Sequence, residues 1–194
     1  MTSDADRRLL LRIAREAIVA QVRGLPAPAL EPADVLARSG AAFVTIQRGG
    51  KLRGCIGHLA AGDPFGRVVP QCAVAACSAD PRFPAVTQSE LSDIEIELSL
   101  LGPIEPVPGP DAIEVGRHGL VVEQGWHRGL LLPQVATEWR WDRETFLAET
   151  CHKAGLPVDA WKHGAKIWRF EAEVFGEGGK GGPILPFQSG RAAS

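Results

Sequence analysis

Residues 41–59, AAFVTIQRGGKLRGCIGHL, constrain the fold more than any other stretch of the chain. Two strand-length runs, AAFVTIQ and LRGCIGHL, flank Gly49-Gly50, and a glycine pair supplies the positive φ angles of a two-residue hairpin turn. With those glycines as the turn, Thr45 is expected opposite Gly54 and Val44 opposite Cys55. Side-chain alternation then puts Arg53, Cys55 and Gly57 on one face and Leu52, Gly54 and Ile56 on the other. A thiol between two strand-weakening glycines calls for a reason. Either a backbone approaches closely there or the sulfur takes part in chemistry.

The other elements fall around this hairpin. Residues 4–23 place Leu10, Ile13, Ala14, Ala17 and Ile18 at helical spacing with charges on the opposite face, which predicts an amphipathic helix. A Pro-rich connector follows, with a short helical turn expected within 32–38. A second helix is expected from Pro64 to about residue 78, capped by Asp63 and kinked or irregular near Pro70. SDIEIELSLL at 92–101 alternates strictly, so Ile94, Ile96, Leu98 and Leu100 face a core while Glu95 and Glu97 form an acidic outer face. Beyond a Pro-rich linker, residues 118–136 suggest another hairpin, turning within 124–128. A helix capped by Asp142 and stopped at Gly155 comes next, and a last strand carries Trp168, Phe170, Ala172 and Val174 inward.

About five strands in hairpins, without regular strand–helix–strand alternation, indicate an α+β fold with a mostly antiparallel sheet. At 194 residues, 45% hydrophobic and 23% charged, the chain suits one globular unit over 1–176, followed by a flexible Gly-rich tail over 177–194. A net charge of −2 and the lack of a basic block give no footprint for nucleic acid, and no apolar run is long enough to span a bilayer. A start of MTSDADRRLL is not a secretory signal, so a cytoplasmic protein with reduced thiols is expected. The spacing of Cys55, Cys72, Cys77 and Cys151 fits neither a disulfide framework nor a metal site, and no metal or cofactor is expected.

Cys55 is the leading candidate for chemistry. Arg53, on its predicted face, would favour the thiolate, and Gly54 and Gly57 would clear space around it. His118, between Gly116 and Gly119 at the start of a strand, is the preferred base or hydrogen-bonding partner. Arg82 in DPRF offers a planar fork for an anion, and Gln134 is expected at the exit of a strand ended by Pro133. Lys153 is explained equally well by anion binding or by the helix dipole. Trp139 and Trp141 suggest a partner patch or core packing.

Taken together, LRGCIGHL (52–59), SADPRFPAV (78–86), ELSDIEIELSLL (90–101), GRHGLVV (116–122), GLLLPQVATEW (129–139) and CHKAGL (151–156) resemble the AMMECR family over residues 5–176. One departure is His58, where relatives often carry a small or hydroxyl residue. The resemblance implies an α+β fold with a larger and a smaller lobe and a cleft bearing LRGCIG. It also implies membership of a three-protein set with a Memo-type protein and a radical SAM enzyme. Three readings of the cleft follow: a thiol-dependent enzyme or acyl/alkyl carrier acting on a small, anionic substrate; a radical-chemistry partner using Gly54, Cys55 and Gly57; or an adaptor that docks partners without chemistry.

Overall fold

A computed structural model describes residues 2–59 and 62–177. Helix α1 (Asp4–Arg23) opens with a reciprocal capping box between Ser3 and Asp6 and closes on Gly24 in the left-handed conformation. After the short α2 (Asp34–Ala37), strands β1 (Ala41–Arg48) and β2 (Lys51–His58) form the expected hairpin, with Gly49 at φ 55° and Gly50 at φ 73°. Helix α3 (Phe65–Ser78) runs on through Pro70, and it is Pro64 rather than Asp63 that precedes its first turn. Asp63 instead pairs with Arg67, 3.2 Å away.

Strands β3 (Ile94–Leu101), β4 (Glu105–Pro106), β5 (His118–Gln124), β6 (His127–Leu131) and β7 (Lys166–Gly176) complete a seven-stranded antiparallel sheet. Its order is β2-β1-β3-β7-β5-β6, with β4 pairing β7, and it curls into a half-barrel. The fold is therefore α+β, as the sequence indicates, with two more strands than expected. Helices α4 (Pro133–Glu138) and α5 (Arg143–Lys153) belong to the second half, and α5 is capped by Asp142 through Thr145 N–H. Pro133 does not end a strand. It occupies the first turn of α4, where its missing N–H costs nothing.

Both faces of the sheet are covered. Helices α1 and α3 pack on one face, where Leu10, Ile13, Val68, Val44, Ile96 and Leu98 share a core. On the other face Phe43, Leu101, Val121 and Phe170 pack with Val135 of α4. This second layer overturns the expected acidic outer face of β3. Glu95 is exposed, but Glu97 is only 5% and Ser99 only 1% exposed. A central strand in a doubly covered sheet buries both of its faces, whatever its alternation. Of the tail expected over 177–194, only Glu177 lies within the described residues. Its carboxylate pairs with Arg15 and accepts from Ile96 N–H.

Candidate functional site

The β1–β2 register is the starting point. Ile46 pairs with Gly54 but Gln47 pairs with Leu52, so Arg53 is an extra residue in the ladder, a β-bulge. The expected register is therefore displaced by one: Thr45, not Val44, faces Cys55. The bulge also turns Arg53 away from the sulfur. Its guanidinium bonds Glu90 at 2.9 and 3.1 Å and the carbonyls of Pro84 and Ala85 at 2.8 and 3.2 Å. Arg53 thus closes a buried structural knot, in which it and the Thr87 capping contacts hold the Glu90 carboxyl down at about 2. It is not the activating neighbour of Cys55.

The two glycines have steric explanations. A Cβ at Gly54 would collide with the carbonyl oxygen of Ala76, so Gly54 lets α3 lie directly on β2, on the face away from Cys55. A Cβ at Gly57 would enter the ring of Phe43. Neither glycine opens space beside the sulfur.

Cys55 itself is fixed by the DPRF turn. As an edge strand, β2 has outward backbone groups with no neighbouring strand to bond them. At Cys55 a side-chain pair replaces the missing strand. The Asp80 carboxylate accepts from Cys55 N–H at 2.8 Å, and Arg82 Nη2 donates to the Cys55 carbonyl at 3.1 Å. Asp80 and Arg82 also bond each other at 2.7 and 2.9 Å. Burial opposes ionisation of Asp80, but the Arg82 guanidinium and the Cys55 N–H prevail and hold its carboxyl at about 2. Arg82 is therefore the cation that acts on Cys55, through a clamp on the backbone.

The Cys55 side chain stands in a row across three strands. Thr45 pairs with Cys55 on one side and Glu97 on the other, and its hydroxyl is 3.3 Å from the sulfur. All four cysteines are free thiols, and Cys55 alone is not fully buried. Burial pushes its pKa up, against smaller downward effects of the Thr45 hydroxyl and Arg82, so the thiol rests protonated. Glu97 is the unexpected member. Burial and the nearby Glu138 carboxylate raise its pKa to about 7. Lys153, at the end of α5, completes the cluster: burial and Arg82 lower its pKa and the neighbouring Cys55 raises it. Lys153 also lines a cavity of about 530 Å³ with Leu131, Val135, Trp139 and Trp141. The two tryptophans stack there, with centroids 6.0 Å apart.

His118 is not brought to this site. β1, β3 and β7 lie between its strand and that of Cys55. Its buried ring accepts from Glu114 N–H at 2.9 Å through Nδ1, and burial lowers its pKa. It lines a separate cavity of about 770 Å³, where Arg38, Arg117 and Arg169 face Glu105, Glu114 and Glu171. Gln134 sits on α4 one turn before Glu138 and so shares its face. Of the residues expected at the site, Arg82 is brought to Cys55 and Gln134 lies on α4 with Glu138, whereas Thr45, Glu97, Ser99 and Asp80 were not among those expected. Polar residues alternating along a central strand, Glu95, Glu97 and Ser99, were the available signal.

A family model described as AMMECR1 matches residues 11–175. A Methanothermobacter thermautotrophicus protein is 47% identical over 182 residues, 89% of this chain and 94% of its own length. A Thermococcus onnurineus protein is 45% identical over 189 residues, 90% of this chain and 92% of its own. The crystal structure of an uncharacterized protein from Pyrococcus horikoshii superposes with a TM-score of 0.83 at 40% identity, covering 93% of this chain and 96% of that one. The chain belongs to the AMMECR1 family.

Proposed function

We propose that the chain is a thiol-dependent acyl-transfer protein, in which Cys55 attacks the carbonyl carbon of a small substrate. The observation that carries this reading is the row Cys55–Thr45–Glu97, with a buried carboxyl of pKa about 7 beside a half-buried neutral thiol. A thiol that rests protonated needs a base at the moment of attack, and a base is most effective when its pKa lies near the working pH. Glu97 meets that requirement. Two strand-to-strand steps set the Cβ atoms of Cys55 and Glu97 about 10 Å apart. The Glu97 charge reaches the Cys55 thiol across Thr45. Lys153 and the clamped Arg82 supply positive charge where an oxyanion would develop. The cavity under Trp139 and Trp141, which shares Lys153, offers an apolar bed for the remainder of the substrate.

The test is the pH dependence of Cys55 modification by methyl methanethiolsulfonate in the folded protein, followed by mass spectrometry. The expected profile has an inflection near pH 7 from Glu97 that Glu97→Gln removes. A single inflection above pH 9, unchanged by Glu97→Gln, refutes the proton-acceptor role, and no modification of Cys55 at all refutes the thiol site.

A further inference from the structure

Two buried polar atoms on β3 and one on α4 have no hydrogen-bond partner among the described residues: Glu97 Oε1, Ser99 Oγ and Gln134 Nε2. Glu97 and Ser99, two residues apart on β3, point to one face, which is the face of Cys55 and Thr45. Gln134 sits on α4, on the face of the helix that carries Glu138, and the Glu138 carboxylate acts directly on Glu97. Native proteins leave few buried polar atoms unpaired, because each costs its full desolvation. Three of them on facing elements beside a thiol form a built site for a ligand with complementary groups. They do not belong to the Cys55 backbone clamp, and no hydrogen bond among the described residues uses them.

We infer that this site takes a primary carboxamide. The amide –NH2 donates to Glu97 Oε1 and Ser99 Oγ, and the amide carbonyl accepts from Gln134 Nε2. A carboxylate would bring a third negative charge to Glu97 and Glu138 and has no proton to donate. An ammonium group has no acceptor for Gln134. This inference rests on the acyl-transfer reading and names its substrate class. The sulfur of Cys55 forms a bond to the amide carbon while the thiol proton passes to the Glu97 carboxylate. The tetrahedral intermediate collapses as the C–N bond breaks, and the proton held by Glu97 goes to the departing nitrogen, which leaves as ammonia. Water then attacks the Cys55 thioester, giving a carboxylic acid and the free thiol. The sum is R–CO–NH2 + H2O → R–COOH + NH3, with no redox change.

Iodoacetamide tests the inference because it is itself a primary carboxamide whose electrophilic carbon lies beside the amide. The full chain is treated with iodoacetamide or with methyl methanethiolsulfonate, which has no amide, and Cys55 modification is followed by peptide mass spectrometry. The expected result is a rate that saturates with iodoacetamide concentration and is competed by propionamide but not by propionate. Ser99→Ala and Gln134→Leu should each lower the ratio of iodoacetamide to methanethiolsulfonate rates by about fivefold, the worth of one hydrogen bond. The propionamide competition uses the unaltered chain, so it stands even if a variant misfolds. A rapid methanethiolsulfonate reaction with unsaturable, uncompeted iodoacetamide kinetics overturns the carboxamide site and leaves the thiol reading standing. Failure of both reagents overturns the two together.

Discussion

Replacing Asp80 with Asn tests the clamp that positions Cys55. The Asp80 side chain is almost fully buried, with its carboxylate shared between Arg82 and Cys55 N–H. Its pKa falls from 3.8 to about 2 in the folded protein. A carboxyl whose folded pKa is depressed adds stability above its unfolded pKa and loses it as pH falls through the folded one. The difference, 3.8 minus about 2, corresponds to about 2–3 kcal/mol at about 1.4 kcal/mol per pH unit. Asp80→Asn removes that contribution and leaves the Arg82 guanidinium without its charged partner, though the Asn oxygen still accepts from Cys55 N–H. Urea denaturation of both proteins between pH 2 and pH 7 is the assay. The stability gap should be greatest above pH 5 and shrink by about 2 kcal/mol on going to pH 2. A gap that does not vary with pH would show that Asp80 is not held ionised by Arg82, and the account of how Cys55 is fixed would fail with it.

Other consequences can be measured in the same way. Glu97 has the opposite sign: its pKa is raised from 4.5 to about 7, so it costs stability that is absent below pH 4.5 and complete above pH 7. Glu97→Gln should therefore stabilise the fold by up to about 3 kcal/mol at pH 8 and by little at pH 4, read from thermal melts at the two pH values. Gly54→Ala should destabilise by at least about 2 kcal/mol in urea, because the new methyl group meets the backbone of α3 rather than a movable side chain. Arg53→Ala should also cost about 2 kcal/mol by leaving Glu90 with fewer partners, yet leave the pH profile of Cys55 modification in place. A profile displaced by Arg53→Ala would restore Arg53 as a direct neighbour of the sulfur.

The parts of the fold governed by local chemistry were legible in the sequence. The Gly49-Gly50 turn, the Asp142 cap and the Gly155 stop each act within a few residues. The bulge at Arg53 was not legible, because two glycines specify a turn and say nothing of an extra residue four positions later. That single residue decides which side chain faces Thr45 and which cation acts on Cys55. Nor did the strand alternation show that a second layer covers Glu97. Alternation gives the two faces of a strand, and only the tertiary arrangement determines whether the second face meets water or α4. The pairing of Cys55 with His118 failed for the same reason, since glycines around a histidine carry no information about which strands separate it from a thiol.

The energetics of the second layer bear on which reading of the molecule is right. The first layer, under α1 and α3, is apolar throughout, and its close approach at Gly54 is what a purely structural strand needs. The face across the sheet could have been packed the same way, and around Phe43, Leu101 and Phe170 it is. At Glu97 and Ser99 it carries instead one carboxyl oxygen and one hydroxyl that find no hydrogen-bond partner among the described residues, at a cost that apolar residues of similar size would avoid. A docking surface gains nothing from polar atoms it keeps out of reach. A reacting site gains a base of suitable pKa and a set of hydrogen bonds that only its substrate completes. The unpaired oxygens sit on β3, across β1 from the least buried thiol, where the proposed reacting site would use them.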